Sequence, residues 1–157
     1  MNESTNSAPL STRAPLPTLS DFLHVREDRL RLTDLDFQQH VNNAAQTALL
    51  ANARFDFLGE VVRPALPPGD KLVIASLDVN FVREMLYGDV VYTGTRILSI
   101  GRTSMRIEQA IYQDGKCAVR AVSVFVHLSA ASNTAAPWPE AVLALPRFDL
   151  PNEGKSA

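Results

Sequence analysis

Cysteine is almost missing from the sequence: Cys117 is the one thiol, so no internal disulfide can form, and a reducing compartment is expected. Basic charge is not in excess either. Lys and Arg total 15 against 17 Asp and Glu, with no basic run, which argues against a nucleic-acid surface. No stretch approaches the roughly 20 consecutive apolar residues of a membrane span. The opening MNESTNSAPLSTRAPLPTLS carries Ser, Thr and Pro where a signal peptide would carry an apolar core. The expectation is a cytoplasmic protein without nucleic-acid or membrane partners. Gly-x-Ser-x-Gly is also absent, which removes the strained elbow that serves many nucleophilic serines.

At 157 residues, 46% hydrophobic and 20% charged, the chain has the length and composition of one globular domain. That domain is placed at residues 21–150, with flexible tails at 1–20 and 151–157. Phe22 to Leu32 mixes apolar and charged residues as a partly exposed edge strand does. Asn43 to Leu58 reads as a helix, with Asn43 as N-cap, good helix formers inside and Gly59 just past its end. Its apolar residues spread over more than one stripe, which predicts burial on most sides. Prolines at 64, 67 and 68 then impose an irregular connection.

Four strand-like runs follow. Ser76 to Phe81 alternates so that Leu77, Val79 and Phe81 share a face; Val90 to Leu98 is β-branched and aromatic; Met105 to Tyr112 alternates again; Ala118 to Leu128 is the most apolar. Asp114-Gly115 predicts a tight hairpin turn. Ile100-Gly101 and Tyr87-Gly88-Asp89 are expected to join the other consecutive strands, giving a four-strand antiparallel meander. Residues from Pro137 to Pro151 are expected to lie loosely over the sheet edge. One long helix beside such a sheet implies an α+β hotdog architecture, a curved antiparallel sheet wrapped around one central helix.

Between the first strand and the helix runs LDFQQHVNNA, residues 35–44. Buried polar groups are costly unless they are paired or used, so this run needs an explanation. Leu35-Asp36-x-x-Gln39-His40-Val41-Asn42-Asn43-Ala44, with Ala53-Arg54 on the helix, resembles the acyl-CoA thioesterases of the 4-hydroxybenzoyl-CoA thioesterase superfamily. The long-chain acyl-CoA branch is the nearest in pattern. The resemblance implies a hotdog homodimer or homotetramer that hydrolyses medium- or long-chain or aromatic acyl-CoA without metal or bound cofactor. Family members carry an aromatic residue and Leu where this chain has Gln46-Thr47, acidic residues where it has Ala51-Asn52, and Pro where it has Glu84.

For such chemistry Asp36 is the candidate base or nucleophile, and the Asn43 backbone N–H, with Asn42, is the candidate holder of the thioester oxygen. His40 is a candidate for orienting Asp36 or water. Each has a plainer role as well: Asp36 as an Asx-turn residue, His40 as a structural hydrogen-bonding group, Asn42 and Asn43 as caps. Arg83, Arg102, Thr103 and Ser104 are candidates for the phosphates of coenzyme A, against a reading as solvated surface residues. Asp34, Asp36 and His40 lie close enough in sequence to raise a metal site, but His24 and His127 are distant and Cys117 has no pair, so none is expected. Two other functions share the architecture: a hydratase, whose Gly-Asp-x-Asn-Pro type segment is missing here, and a non-catalytic acyl-CoA sensor.

Overall fold

The computed structural model describes residues 15–88 and 90–148. The order is β1 (His24–Arg29), α1 (Asn43–Phe57), β2 (Lys71–Phe81), β3 (Val90–Ile100), β4 (Ser104–Gln113), β5 (Lys116–Leu128) and a single helical turn α2 (Glu140–Leu143). The five strands form one antiparallel sheet in the order β1-β3-β4-β5-β2, with α1 against its concave face. This is the hotdog arrangement read from the sequence.

The meander has three strands, not four. β2 pairs with β5 at the far edge rather than with β3. The chain from Val82 to Gly88 is too long and irregular for a tight hairpin, and it carries the chain back across the end of the sheet. Asp89, part of the expected turn there, lies outside the described residues. By contrast Asp114 and Gly115 both take positive φ, 52° and 70°, as a two-residue hairpin requires.

Two bulges keep the apolar residues aimed inward. The register of β2 slips between Ile74 and Ser76, so Leu72 and Ile74 face the same side as Leu77, Val79 and Phe81 despite the odd spacing. A slip in β3 between Ile97 and Ser99 does the same for Ile97 and Ile100. Beneath the first half of α1, Leu49 and Leu50 pack with Val91, Ile111, Val119 and Ala121. Beneath its second half, Phe57 packs with Ile97, Met105, Ile107 and Phe125.

α1 departs from expectation at both ends and on one face. Asn42, not Asn43, is the N-cap: its Oδ1 accepts the Ala45 N–H at 2.7 Å. Gly59 does not stop the helix, because Leu58 keeps right-handed helical geometry and the chain widens into a π-turn over Leu58–Val62. Only Gln46, Leu49, Leu50, Ala53 and Phe57 are buried. Ala44, Ala48 and Ala51 are open and Phe55 is 78% exposed, since one sheet covers one side of a helix and no more.

The outer face of the sheet is covered in part by the segment that precedes β1. Residues 1–14 of the expected tail and residues 149–157 lie outside the described residues. Residues 15–21 run over the sheet, where Pro17 O accepts the Tyr112 hydroxyl at 2.5 Å and Phe22 sits over Gly94. A Cβ at Gly94 would lie 2.4 Å from Phe22 Cγ, so glycine is needed there for close approach. Below this strap Glu108, fully buried, joins Arg96 and Arg120 at 2.5 and 2.6 Å. The chain after β5 is not loose: Trp138 stacks on His127 at 5.0 Å between ring centroids, and Val142 is fully buried. His127 is held in turn by Asp70 at 2.7 Å.

Candidate functional site

The run LDFQQHVNNA folds as a small hairpin on the N-terminal end of α1. The Asn42 N–H donates to Asp34 O, the Asp36 N–H donates to His40 O, both at 2.8 Å, and Leu35 bridges Val41. Side chains alternate across such a ribbon. Leu35 and Val41 therefore turn into the core, while Asp34, Asp36, His40 and Asn42 share the opposite face. This explains the mixed composition: one ribbon has an apolar side that anchors it and a polar side that lies at the helix entrance.

Asp36 closes the tip of the hairpin. Its Oδ1 accepts the N–H groups of Gln38 at 2.8 Å and His40 at 3.1 Å, and Gln39 takes φ 64° to make the turn. The Asx-turn role is thus real. It leaves Oδ2 without a protein hydrogen bond among the described residues.

The first four N–H groups of a helix have no acceptor within it. In α1 the Ala45 N–H is taken by the Asn42 side chain and the Gln46 N–H by Asn42 O, so Asn43 and Ala44 are left, at the positive end of the helix dipole. Gln46, where the family resemblance led one to expect an aromatic residue, is buried with its Nε2 donating to Val41 O at 2.7 Å. Its Oε1 is buried without a partner.

The loop from Val82 to Gly88 forms the wall facing this hairpin. The Val41 N–H donates to Met85 O at 2.8 Å, and His40 bridges Leu86. His40 Nε2 lies 3.2 Å from Glu84 Oε2, a partner that sequence reasoning missed although Glu84 stood out in place of the family proline. The Gln113 amide fixes the loop by accepting the Leu86 N–H at 3.1 Å and donating to Leu86 O at 2.7 Å. Arg83 donates to Gln113 O at 3.1 Å, and its Nε is buried without a partner. A cleft of about 410 Å³ opens here, lined by Arg83, Glu84, Leu86, Tyr87, Gly88, Gln113 and Asp114.

The structure brings Asp36, His40, Asn42, Asn43 and Arg83 to one end of the sheet. It does not bring Arg102, Thr103 and Ser104 there. Those residues start β4, whereas Gln113 ends it, so they lie on the order of 30 Å away at about 3.3 Å per strand residue. Their carbonyls are occupied there: Arg102 O and Ser104 O accept from Trp138 of the C-terminal segment, and Thr103 O accepts the His127 N–H of β5. Asp34 is likewise occupied, its Oδ2 accepting the Arg31 N–H at 2.7 Å. Cys117 is buried, which pushes its thiol pKa up. Among the described residues no three His, Cys, Asp or Glu side chains are grouped to hold a metal ion, and no helix is long and apolar enough to cross a membrane.

Comparison with known proteins gives a consistent result. The sequence model of the thioesterase-like superfamily matches residues 30–145. A solved thioesterase from Thermus thermophilus, complexed with coenzyme A and Zn, is 30% identical, with 78% of this chain and 95% of that chain covered and a TM-score of 0.67. A predicted thioesterase from Bacillus stearothermophilus is 26% identical, with 76% and 90% covered and a TM-score of 0.68. A 1,4-dihydroxy-2-naphthoyl-CoA thioesterase from Synechocystis shares the fold at 16% identity, with 78% and 96% covered and a TM-score of 0.62. The search of curated proteins gave no match.

Proposed function

Because the chain belongs to the thioesterase-like superfamily, we propose that it hydrolyses acyl-CoA thioesters to the free acid and coenzyme A. The observation that carries this reading is the half-buried Asp36 carboxylate, pinned through one oxygen and free at the other, on the hairpin that leads into two unclaimed helix N–H groups. In the proposed reaction Asp36 Oδ2 takes a proton from water as the water oxygen bonds to the thioester carbon. The carbonyl oxygen gains negative charge and is held by the Asn43 N–H, where the helix dipole favours an anion. The intermediate then expels the coenzyme A thiolate, and the proton on Asp36 returns to that sulfur or to solvent.

His40, held by Glu84, borders the water, and Arg83 beside the cleft is the cation assigned to the phosphates of coenzyme A. The unpaired edge of β2 supports assembly as a homodimer. Eight of its 11 residues are exposed, including Val73, Ile74, Leu77 and Phe81 at 36–47%, and such an edge is covered in a soluble protein. Joining two copies there also shields the open face of α1 and the groove between α1 and β2.

The test is release of free thiol from a panel of short-, medium- and long-chain and aromatic acyl-CoAs. Release from at least one class is expected. Binding without release from any of them refutes the hydrolase reading. A single turnover in oxygen-labelled water checks the base route: label must enter the product acid in that first turnover, and its absence would make Asp36 the nucleophile.

A further inference from the structure

Arg54 is a cation without a counter-charge. It projects from the last turn of α1 between helix and sheet, and among the described residues no carboxylate forms an ion pair with it. Its one hydrogen bond is NH1 to the neutral Gln109 Oε1 at 3.0 Å, and its guanidinium carbon lies 6.0 Å from the Phe125 ring centroid. A guanidinium carries five N–H donors, so most of its capacity is unspent. Gln109 cannot turn away to improve the match, because its Nε2 is committed to Leu50 O and Thr95 Oγ1 at 3.0 and 3.1 Å. Burial lowers the pKa of Arg54 with nothing to offset it.

A second unspent group lies on β5, two residues before Phe125. Ser123 is 1% exposed, and its Oγ has no hydrogen-bond partner. On the inward face of β5 it sits between Ala121, which pairs with Gln109, and Phe125, the two side chains that frame Arg54. On its other side Ser123 pairs with Leu77 of β2, whose 36% exposure marks the groove between α1 and the sheet edge. A half-buried cation without a counter-charge and a buried hydroxyl without a partner are both unfavourable unless a ligand completes them.

We propose that Arg54 and Ser123 form a subsite for a carboxylate at the far end of the acyl group, so that the preferred substrates are ω-carboxyacyl-CoA thioesters rather than plain fatty acyl-CoAs. The inference rests on the hydrolase reading above. A rise of about 1.5 Å per residue puts the Leu50 carbonyl, and with it the Gln109–Arg54 pair, on the order of 10 Å beyond the Asn43 N–H. That spacing suits a medium-length chain, with its thioester at the helix N-terminus and its carboxylate at Arg54.

The test compares kcat/KM for the sebacic acid monothioester of coenzyme A with that for decanoyl-CoA, equal in chain length and different only at the far end. The wild type is expected to favour the carboxylated substrate. Arg54→Met is expected to cut the ratio of the two constants by about 10- to 100-fold, as for loss of a charged hydrogen bond, and Arg54→Lys to keep part of it. Because the ratio is taken within each variant, a loss of folded protein cancels. Ser123→Ala, should Arg54→Met not fold, is expected to lower the ratio several-fold. A wild-type ratio at or below unity, or a ratio unchanged in the variants, overturns the subsite. Hydrolysis of decanoyl-CoA with indifference to the carboxyl group sinks this inference alone, whereas no thiol release from any acyl-CoA sinks it together with the hydrolase.

Discussion

Replacing Asp36 by Asn and by Ala separates the proposed chemistry from loop structure, because the proposed base and the loop acceptor are different atoms of one carboxylate. Oδ1 accepts two backbone N–H groups, from Gln38 and His40, and supports the left-handed Gln39 at φ 64°. Asn keeps an acceptor oxygen in that place, so Asp36→Asn should unfold within about 1 kcal/mol of the wild type. Ala removes the acceptor and leaves both N–H groups to water, so Asp36→Ala should lose about 1–3 kcal/mol, the usual cost of unpaired partners at a partly exposed site. Turnover should respond differently. If Asp36 is the base as proposed, both variants lack it and both should fall by about 10²- to 10⁴-fold. Thiol release under saturating acyl-CoA and urea unfolding on the same preparations give the two readings. A folded Asp36→Asn protein with more than about a tenth of wild-type turnover would refute the catalytic assignment. Equal stability of the Asn and Ala variants would refute the account of the loop.

Glu108→Gln leaves Arg96 and Arg120 facing a neutral group in a buried site and should cost about 3–5 kcal/mol in urea unfolding; a change below about 1 kcal/mol would contradict the pairing. In a two-fold edge pairing centred on β2 the axis passes near Ser76, so Leu77 lies diagonally across from its own copy. Leu77→Lys then opposes like charges and should weaken dimerisation by at least about tenfold in sedimentation; a wild type that is monomeric at all concentrations would remove the dimer. Asp70 has a lowered pKa, set first by the Ala130 N–H and then by His127. Its contribution to stability is present above the ordinary Asp value and is lost as pH falls through the lower folded one. Acid unfolding should therefore be less steep in Asp70→Asn below about pH 4, and identical profiles would count against this role.

Much of the architecture was legible because it rests on local patterns. The two-residue period set the inward faces of β2 and β4, and Asp114-Gly115 set the closing hairpin. What the sequence hid was pairing at a distance. β2 and β3 are neighbours in the chain, and nothing local says that β2 crosses to β5. The reach of α1 was overread for a similar reason: alanine is neutral about burial, so Ala44, Ala48 and Ala51 look apolar in a helix whose outer side they leave open. At the site, the polar run was visible but its ribbon geometry was not, and Glu84 meets His40 only through a loop folded back over 44 residues of separation. That Arg102, Thr103 and Ser104 lie at the opposite end of the sheet from Asp36 was equally hidden, because charge and hydroxyls in a turn say nothing about which end of a sheet that turn occupies.

The Gln113 amide, bonded to both backbone groups of Leu86, acts as a rivet between the closing hairpin and the wall opposite Asp36. The loop that bears Arg83 and Glu84 has thereby surrendered its freedom before any substrate arrives, and ligand binding does not have to supply that ordering. The same rivet transmits error. Lengthening the hairpin at Asp114-Gly115 by one residue, far from the reacting atoms in the chain, would tilt the wall and misalign the entrance, so the turn is expected to tolerate changes of side chain and to resist changes of length.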